Sequence, residues 1–191
     1  MSVGNLRTKT TMMSSPTDFD KEGVEFWPGI PKIKYEGTDS KNPLAYKYYN
    51  PDEVVMGKKM KDWLRFSVCY WHSFNGAKGS DPFGGPTITR DWDDGTNSLE
   101  NAYRRAGAAF EFMDKLGVEY FTFHDVDVAP EGETLEETQS NLDKVIDKVE
   151  GLMKKTGIKL LWATQNMFSN TRYMNGAATN PEVHNFAYAS A

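Results

Sequence analysis

Residues 119–130 read Glu-Tyr-Phe-Thr-Phe-His-Asp-Val-Asp-Val-Ala-Pro, and their chemistry changes halfway along. Tyr120, Phe121, Thr122 and Phe123 are all aromatic or β-branched, the composition of a buried strand. His124, Asp125 and Asp127 then arrive together, and Pro130 prevents the strand from continuing. The segment therefore reads as a strand that ends in a polar loop. Two readings of the loop stand: a capped turn with a satisfied histidine, or a site. A carboxylate beside an imidazole can fix its tautomer and raise its basicity. The C-terminal ends of strands are also where α/β proteins place their sites.

Working outward, the chain alternates strands and helices. Residues 96–117 carry Leu99, Ala102, Tyr103, Ala106, Phe110, Met113 and Leu116 at spacings of three and four, an amphipathic helix. Thr96 or Asn97 is the expected cap, Glu100 the expected partner of Arg104, and Gly117 the stop. Residues 134–156 repeat the pattern with Leu135, Leu142, Val145, Val149, Leu152 and Met153. Thr134 and Glu137 have capping-box spacing, and Gly157 ends the run. Strands are expected at 65–71, buried on both faces, and at 158–163. The latter leads into Thr164-Gln165-Asn166-Met167-Phe168, polar groups at another strand mouth. Pro181 onward reads as a further helix carrying His184 on its surface.

Upstream, residues 51–64 read as a short helix, with Asn50 as cap and Pro51 in the first turn. Residues 26–50 hold Phe26, Trp27, Tyr35, Tyr46, Tyr48 and Tyr49 between prolines 28, 31 and 43. These aromatics are too many for a free tail, and the prolines forbid a long helix. The expectation is an arm lying over a core or a neighbouring subunit. Residues 1 to about 20 lack periodicity and read as an extended or disordered lead-in. The Asp-rich stretch 89–95 lacks the ordered ligand spacing of a calcium loop and reads as an exposed connection.

Composition bounds the function. The 191 residues are 39% hydrophobic with a net charge of -5, which suits one globular unit and argues against a nucleic-acid surface. No stretch approaches the roughly 18 apolar residues of a membrane span. Arg7 and Lys9 are not followed by the apolar core of a secretory signal. A single cysteine, Cys69, permits no internal disulfide, and its apolar setting suggests a buried structural thiol. The expected setting is cytoplasmic.

The strand mouths also carry motifs. Trp71-His72-Ser73-Phe74 is followed by Asp81-Pro82-Phe83-Gly84, read either as a strand-end tryptophan with a turn or as an apolar wall with a protruding phenylalanine. Together with Phe123-His124-Asp125-Val126-Asp127, Leu161-Trp162-Ala163-Thr164-Gln165-Asn166-Met167-Phe168 and Arg172-Tyr173-Met174-Asn175, these segments resemble the xylose isomerases. The resemblance covers about residues 25–191 and includes the N-terminal extension of the longer, class II members. Asn175 stands where that family more usually has histidine.

What the resemblance implies is a partial TIM (β/α)8 barrel: an arm and short helix over 1–64, then about the first three βα units over 65–191. A whole barrel takes about 250 residues, so the chain is expected to be the N-terminal part of a longer enzyme, truncated or split. The family is an intramolecular oxidoreductase that converts D-xylose to D-xylulose. His124 would assist opening of the sugar ring and Asp127 would orient it. Trp71, Thr164 and Phe168 would line the substrate pocket, and Phe83 would reach into a partner subunit's site. Two divalent cations (Mg2+, Mn2+ or Co2+) would promote the hydride shift, with their ligands beyond residue 191 and none assigned here. Partners would be D-xylose or a related aldose, further copies in a dimer or tetramer, or a complementing C-terminal chain. The isolated chain is expected to be inactive. The alternative is an inert fragment acting only as an assembly or weak sugar-binding module.

Overall fold

The computed structural model describes residues 25–75, 90 and 92–191. Its organising element is a three-stranded parallel sheet of Ser67–Cys69, Tyr120–His124 and Lys159–Thr164, with the second in the middle. Before it, β1 (Val54–Val55) and β2 (Lys58–Lys59) form a small antiparallel hairpin, followed by the one-turn helix α1 (Met60–Trp63). The helix expected over 51–64 is thus corrected. Met56 and Gly57 both have positive φ, 49° and 81°, the turn that matches hairpin twist. The Asn50 side chain accepts from Asp52 N at 3.1 Å, making a local turn rather than a helix cap. Lys59 pairs with Asp52 at 2.8 Å and closes the hairpin from outside.

Strand β3 (Ser67–Cys69) is shorter than expected, because the chain coils directly into the single turn α2 (Tyr70–Ser73). Ser67 is exposed and Cys69 half-buried, so neither two-sided burial nor a fully buried thiol holds here. Helix α3 (Leu99–Leu116) follows. Its cap is Ser98, which accepts from Asn101 N, one residue beyond the expected candidates. Arg104 pairs with Asp94 across the entry loop. Asp93 and Asp94 accept from Gly95 N and Thr96 N at 2.9 Å, local turns that lead into α3.

Strand β4 (Tyr120–His124) lies in the middle of the sheet, with Phe121, Thr122 and Phe123 buried. It leads into a single helical turn, α4 (Asp125–Val128), where a plain loop was expected. Helix α5 (Leu135–Thr156) has the expected Thr134 cap, and Gly157 ends it in the left-handed region at φ 78°. The reciprocal arm of the capping box differs: Glu137 accepts from Glu133 N at 2.8 Å. Strand β5 (Lys159–Thr164), a 3-10 turn (Thr171–Tyr173) and α6 (Val183–Ser190) complete the order. His184 is exposed on α6, as expected.

The core is the layer between the sheet and helices α3 and α5. Small residues Ala102, Ala106 and Ala109 on α3 let it approach closely, while Phe110, Met113, Val145, Val149 and Ile158 fill the space. The Phe110 and Phe121 rings meet edge-on at 5.2 Å. Full burial of a side chain of this size contributes about 1.5–3 kcal/mol.

The arm packs on α3. Phe26 N and Trp27 N donate to the two Glu111 carboxylate oxygens at 2.7 and 2.9 Å, and the Trp27 indole donates to Ala108 O. Lys115 Nζ reaches Trp27 O at 2.6 Å, and Tyr46 Oη donates to Leu116 O at 2.8 Å. Gly107 makes room for the arm, since a Cβ there would lie 3.1 Å from the Phe26 ring. Of the two expected supports, core or neighbouring subunit, the described arm uses its own core. β5 stands at the sheet's edge in the described chain, with Leu160, Leu161 and Trp162 each about 40% exposed. Among the described residues no helix is long and apolar enough to cross a membrane.

Candidate active site

Parallel pairing brings the C-terminal ends of all three strands to one edge of the sheet. The register between β4 and β5 matters most. Phe121 faces Leu160 but Thr122 faces Trp162, so Leu161 is an extra residue on β5. This bulge resets the register so that His124 lies opposite Thr164. Without it, a different β5 residue would stand beside the histidine.

His124 is the last residue of β4, and Asp127 sits three residues later on the turn α4. Asp127 Oδ2 accepts from His124 N at 2.8 Å and lies 3.0 Å from His124 Nδ1. The Asp127 side chain is fully buried, while that of His124 keeps 13% exposure. A buried carboxylate needs donors around it. Asn75 Nδ2 supplies another to Oδ1 at 2.8 Å, and Arg105 Nη1 holds the Asp127 carbonyl at 3.0 Å. Because a carboxylate only accepts, Nδ1 carries the proton in this contact. Nε2 is then the acceptor of a neutral ring, or a second donor of a charged one.

The surroundings are aromatic. The Trp71 ring lies 4.6 Å from His124 and 5.5 Å from Trp162, and Phe168 meets the histidine edge-on at 5.5 Å. Phe168 is 62% exposed, so its ring forms an open wall. The expected residues His124, Asp127, Trp71, Thr164 and Phe168 therefore gather at one mouth. Phe83 lies outside the described residues.

Asp125 has a different task. Its Oδ1 accepts from Val126 N and from Asn166 N, both at 2.8 Å, tying the β4 turn to the loop after β5. Asn166 in turn caps Phe168 N and Ser169 N, which fixes the approach of the Phe168 wall. Beyond this loop, Glu131 pairs with Arg172 at 2.7 Å, and the Arg172 guanidinium lies 4.0 Å from the Tyr188 ring centre. Tyr70 is buried below the mouth, and burial pushes its phenol well above the usual range, keeping it neutral.

Sequence reasoning missed Asn75, Arg105 and Trp162. Asn75 is 52 residues from its partner and follows no local pattern. Arg105 looks like any solvated helix arginine, yet it is 5% exposed. Trp162 was visible only as part of a motif. Among the described residues no three His, Cys, Asp or Glu side chains converge on a common point that would hold a metal.

A parallel α/β unit with an aromatic-walled histidine–carboxylate pair at its strand mouths defines the class: an α/β protein with a candidate site at the C-terminal ends of its strands. Comparison with known proteins narrows the class. The chain is 59% identical over 172 residues to a xylose isomerase of Hordeum vulgare, covering 90% of this chain and 36% of that protein. It is 55% identical over 175 residues to one of Arabidopsis thaliana, covering 92% and 36%. With one of Thermotoga neapolitana it shares 52% over 168 residues, covering 88% and 38%. No family model matches the chain. The chain is thus similar over most of its length to the N-terminal portion of those xylose isomerases. It spans about 36–38% of the length of these curated relatives.

Proposed function

We propose that the chain supplies the ring-opening half of a xylose isomerase site. The observation that carries the reading is the buried Asp127 beneath His124 at the mouth of β4, walled by Trp71 and Phe168. In this reading His124 hydrogen-bonds the ring oxygen or anomeric hydroxyl of D-xylose or a related aldose. Asp127 holds the imidazole with Nδ1 protonated and stabilises the imidazolium. Trp71 and Phe168 stack against the apolar C–H face of the sugar, and Thr164 offers a hydroxyl beside it.

The same reading makes residues 1–64 an arm and 65–191 the first βα units of a TIM barrel, continued beyond β5. The exposed Leu160, Leu161 and Trp162 support continuation, since an apolar edge strand calls for a neighbour. The two divalent cations, Mg2+, Mn2+ or Co2+, would polarise the open-chain oxygens, with ligands from sequence beyond residue 191. The working assembly is a cytoplasmic homo-oligomer, a dimer or tetramer, or this chain joined to a complementing C-terminal chain.

The second reading is an inert fragment that assembles or binds sugar weakly. The exposed β5 edge supports it equally, because that edge can recruit a partner without chemistry. The two separate in one assay: D-xylose isomerisation with Mg2+ or Mn2+, by this chain alone and mixed with the remaining sequence of the Hordeum vulgare relative. Activity on mixing supports the enzymatic reading. Assembly without activity supports the inert one.

A further inference from the structure

We propose that Asn75 is a positioning residue for His124, acting through the carboxylate of Asp127. Asn75 ends the turn after α2 and is 3% exposed. Its Nδ2 lies 2.8 Å from Asp127 Oδ1. An amide can meet a carboxylate oxygen only with its N–H end, which settles the direction of the bond. Among the described contacts, Asp127 Oδ1 accepts from Asn75, and Oδ2 meets the backbone and ring of His124.

This division has a chemical consequence. A carboxylate free to turn about its Cβ–Cγ bond presents no fixed acceptor to the imidazole. Held by Asn75 on one side and His124 N on the other, Oδ2 stays in front of Nδ1. The neutral imidazole is then confined to the Nδ1–H tautomer, with the Nε2 lone pair directed away from Asp127. Arg105 does not perform this task, since its guanidinium contact is with the Asp127 main-chain carbonyl. The neutrality of Asn75 is also significant. A cation in its place would form an ion pair with Asp127 and draw its charge away from the imidazole. A neutral amide holds the carboxylate without adding a positive charge of its own.

The inference rests on the reading of His124 as the ring-opening group, but its test needs no turnover, so the two can fail separately. The full chain is labelled with 15N-histidine, and the ring nitrogen shifts of His124 are followed against pH. The wild type should show one neutral tautomer, Nδ1–H. Asn75→Leu, similar in volume but without a donor, should show a mixture of tautomers and a displaced titration midpoint, with its fold checked by near-ultraviolet circular dichroism. A folded Asn75→Leu chain that keeps the pure Nδ1–H tautomer would overturn the proposal. Should that variant fail to fold, the wild type decides alone. The Asn75 side-chain amide must show slowed hydrogen exchange and a scalar coupling to the Asp127 carboxyl carbon, and their absence overturns the proposal equally.

Discussion

Asp127 Oδ2 accepts two hydrogen bonds from one residue, His124: from its backbone N at 2.8 Å and in contact with its ring Nδ1 at 3.0 Å. The backbone bond exists because α4 begins immediately after β4, which places residue 127 one turn back over residue 124. The same bond that caps the turn therefore aligns the His124–Asp127 pair. The motif's spacing of three follows from helical geometry rather than from any property of sugar chemistry.

Removing the carboxylate should cost stability as well as orientation. Asp127→Ala leaves Asn75 Nδ2 and His124 N as buried or half-buried donors without acceptors, each a loss of about 1–3 kcal/mol. His124→Ala leaves the backbone bond and Asn75 contact intact and should cost less. Urea unfolding of the two variants checks the order; a larger loss for His124→Ala contradicts it.

The arm's docking depends on Glu111. Both Phe26 N and Trp27 N bond its carboxylate, and hydrogen bonds to a charged group contribute about 1.5–3 kcal/mol each. Glu111→Ala should release the arm while leaving the sheet intact. Limited proteolysis should then cut within residues 25–35 faster than in the wild type, with amide protection on β4 unchanged.

The N-terminus of α6 should be sensitive to acid. Glu182 accepts from His184 N and Asn185 N, and these bonds hold its carboxyl below its usual value. A lowered folded-state pKa means the capping contribution is present above the usual glutamate value and lost as pH falls toward and through the lowered one. Amide exchange in α6, corrected for its intrinsic pH dependence, should show protection falling over that window. Glu182→Gln should remove the dependence.

The Thr134 cap offers a smaller test. Its Oγ1 accepts from Glu137 N at 3.1 Å, so Thr134→Ala should destabilise the chain by about 1 kcal/mol. Thermal unfolding measures it, and Thr134→Ser should restore most of the loss.

Much of this architecture is legible in the sequence where one signal dominates. Helices α3 and α5 announce themselves by period, and Gly117 and Gly157 end them because both take left-handed backbone. β4 is legible from four consecutive strand formers. The hairpin at 54–59 was not legible, because Asn50-Pro51-Asp52-Glu53 imitates a helix start and Met-Gly is not a residue pair that announces a hairpin turn. Nor was the bulge at Leu161, which depends on how two strands meet rather than on either alone. His124, Asp127, Trp71 and Phe168 were found through motifs and do converge. Asn75 was not, since its importance arises from one contact made only in the folded chain.

The central claim is that His124 opens the sugar ring, and the direct measurement compares substrates that need opening with one that does not. The enzyme reconstituted from this chain and the complementary sequence is assayed on D-xylose and on an acyclic aldose too short to cyclise. His124→Gln should lower kcat/KM for D-xylose by about 10²–10⁴, the usual range for losing a general acid–base group. The acyclic aldose should be converted nearly as well as by the wild type. An equal fall on both substrates, or no fall on either, would contradict the account.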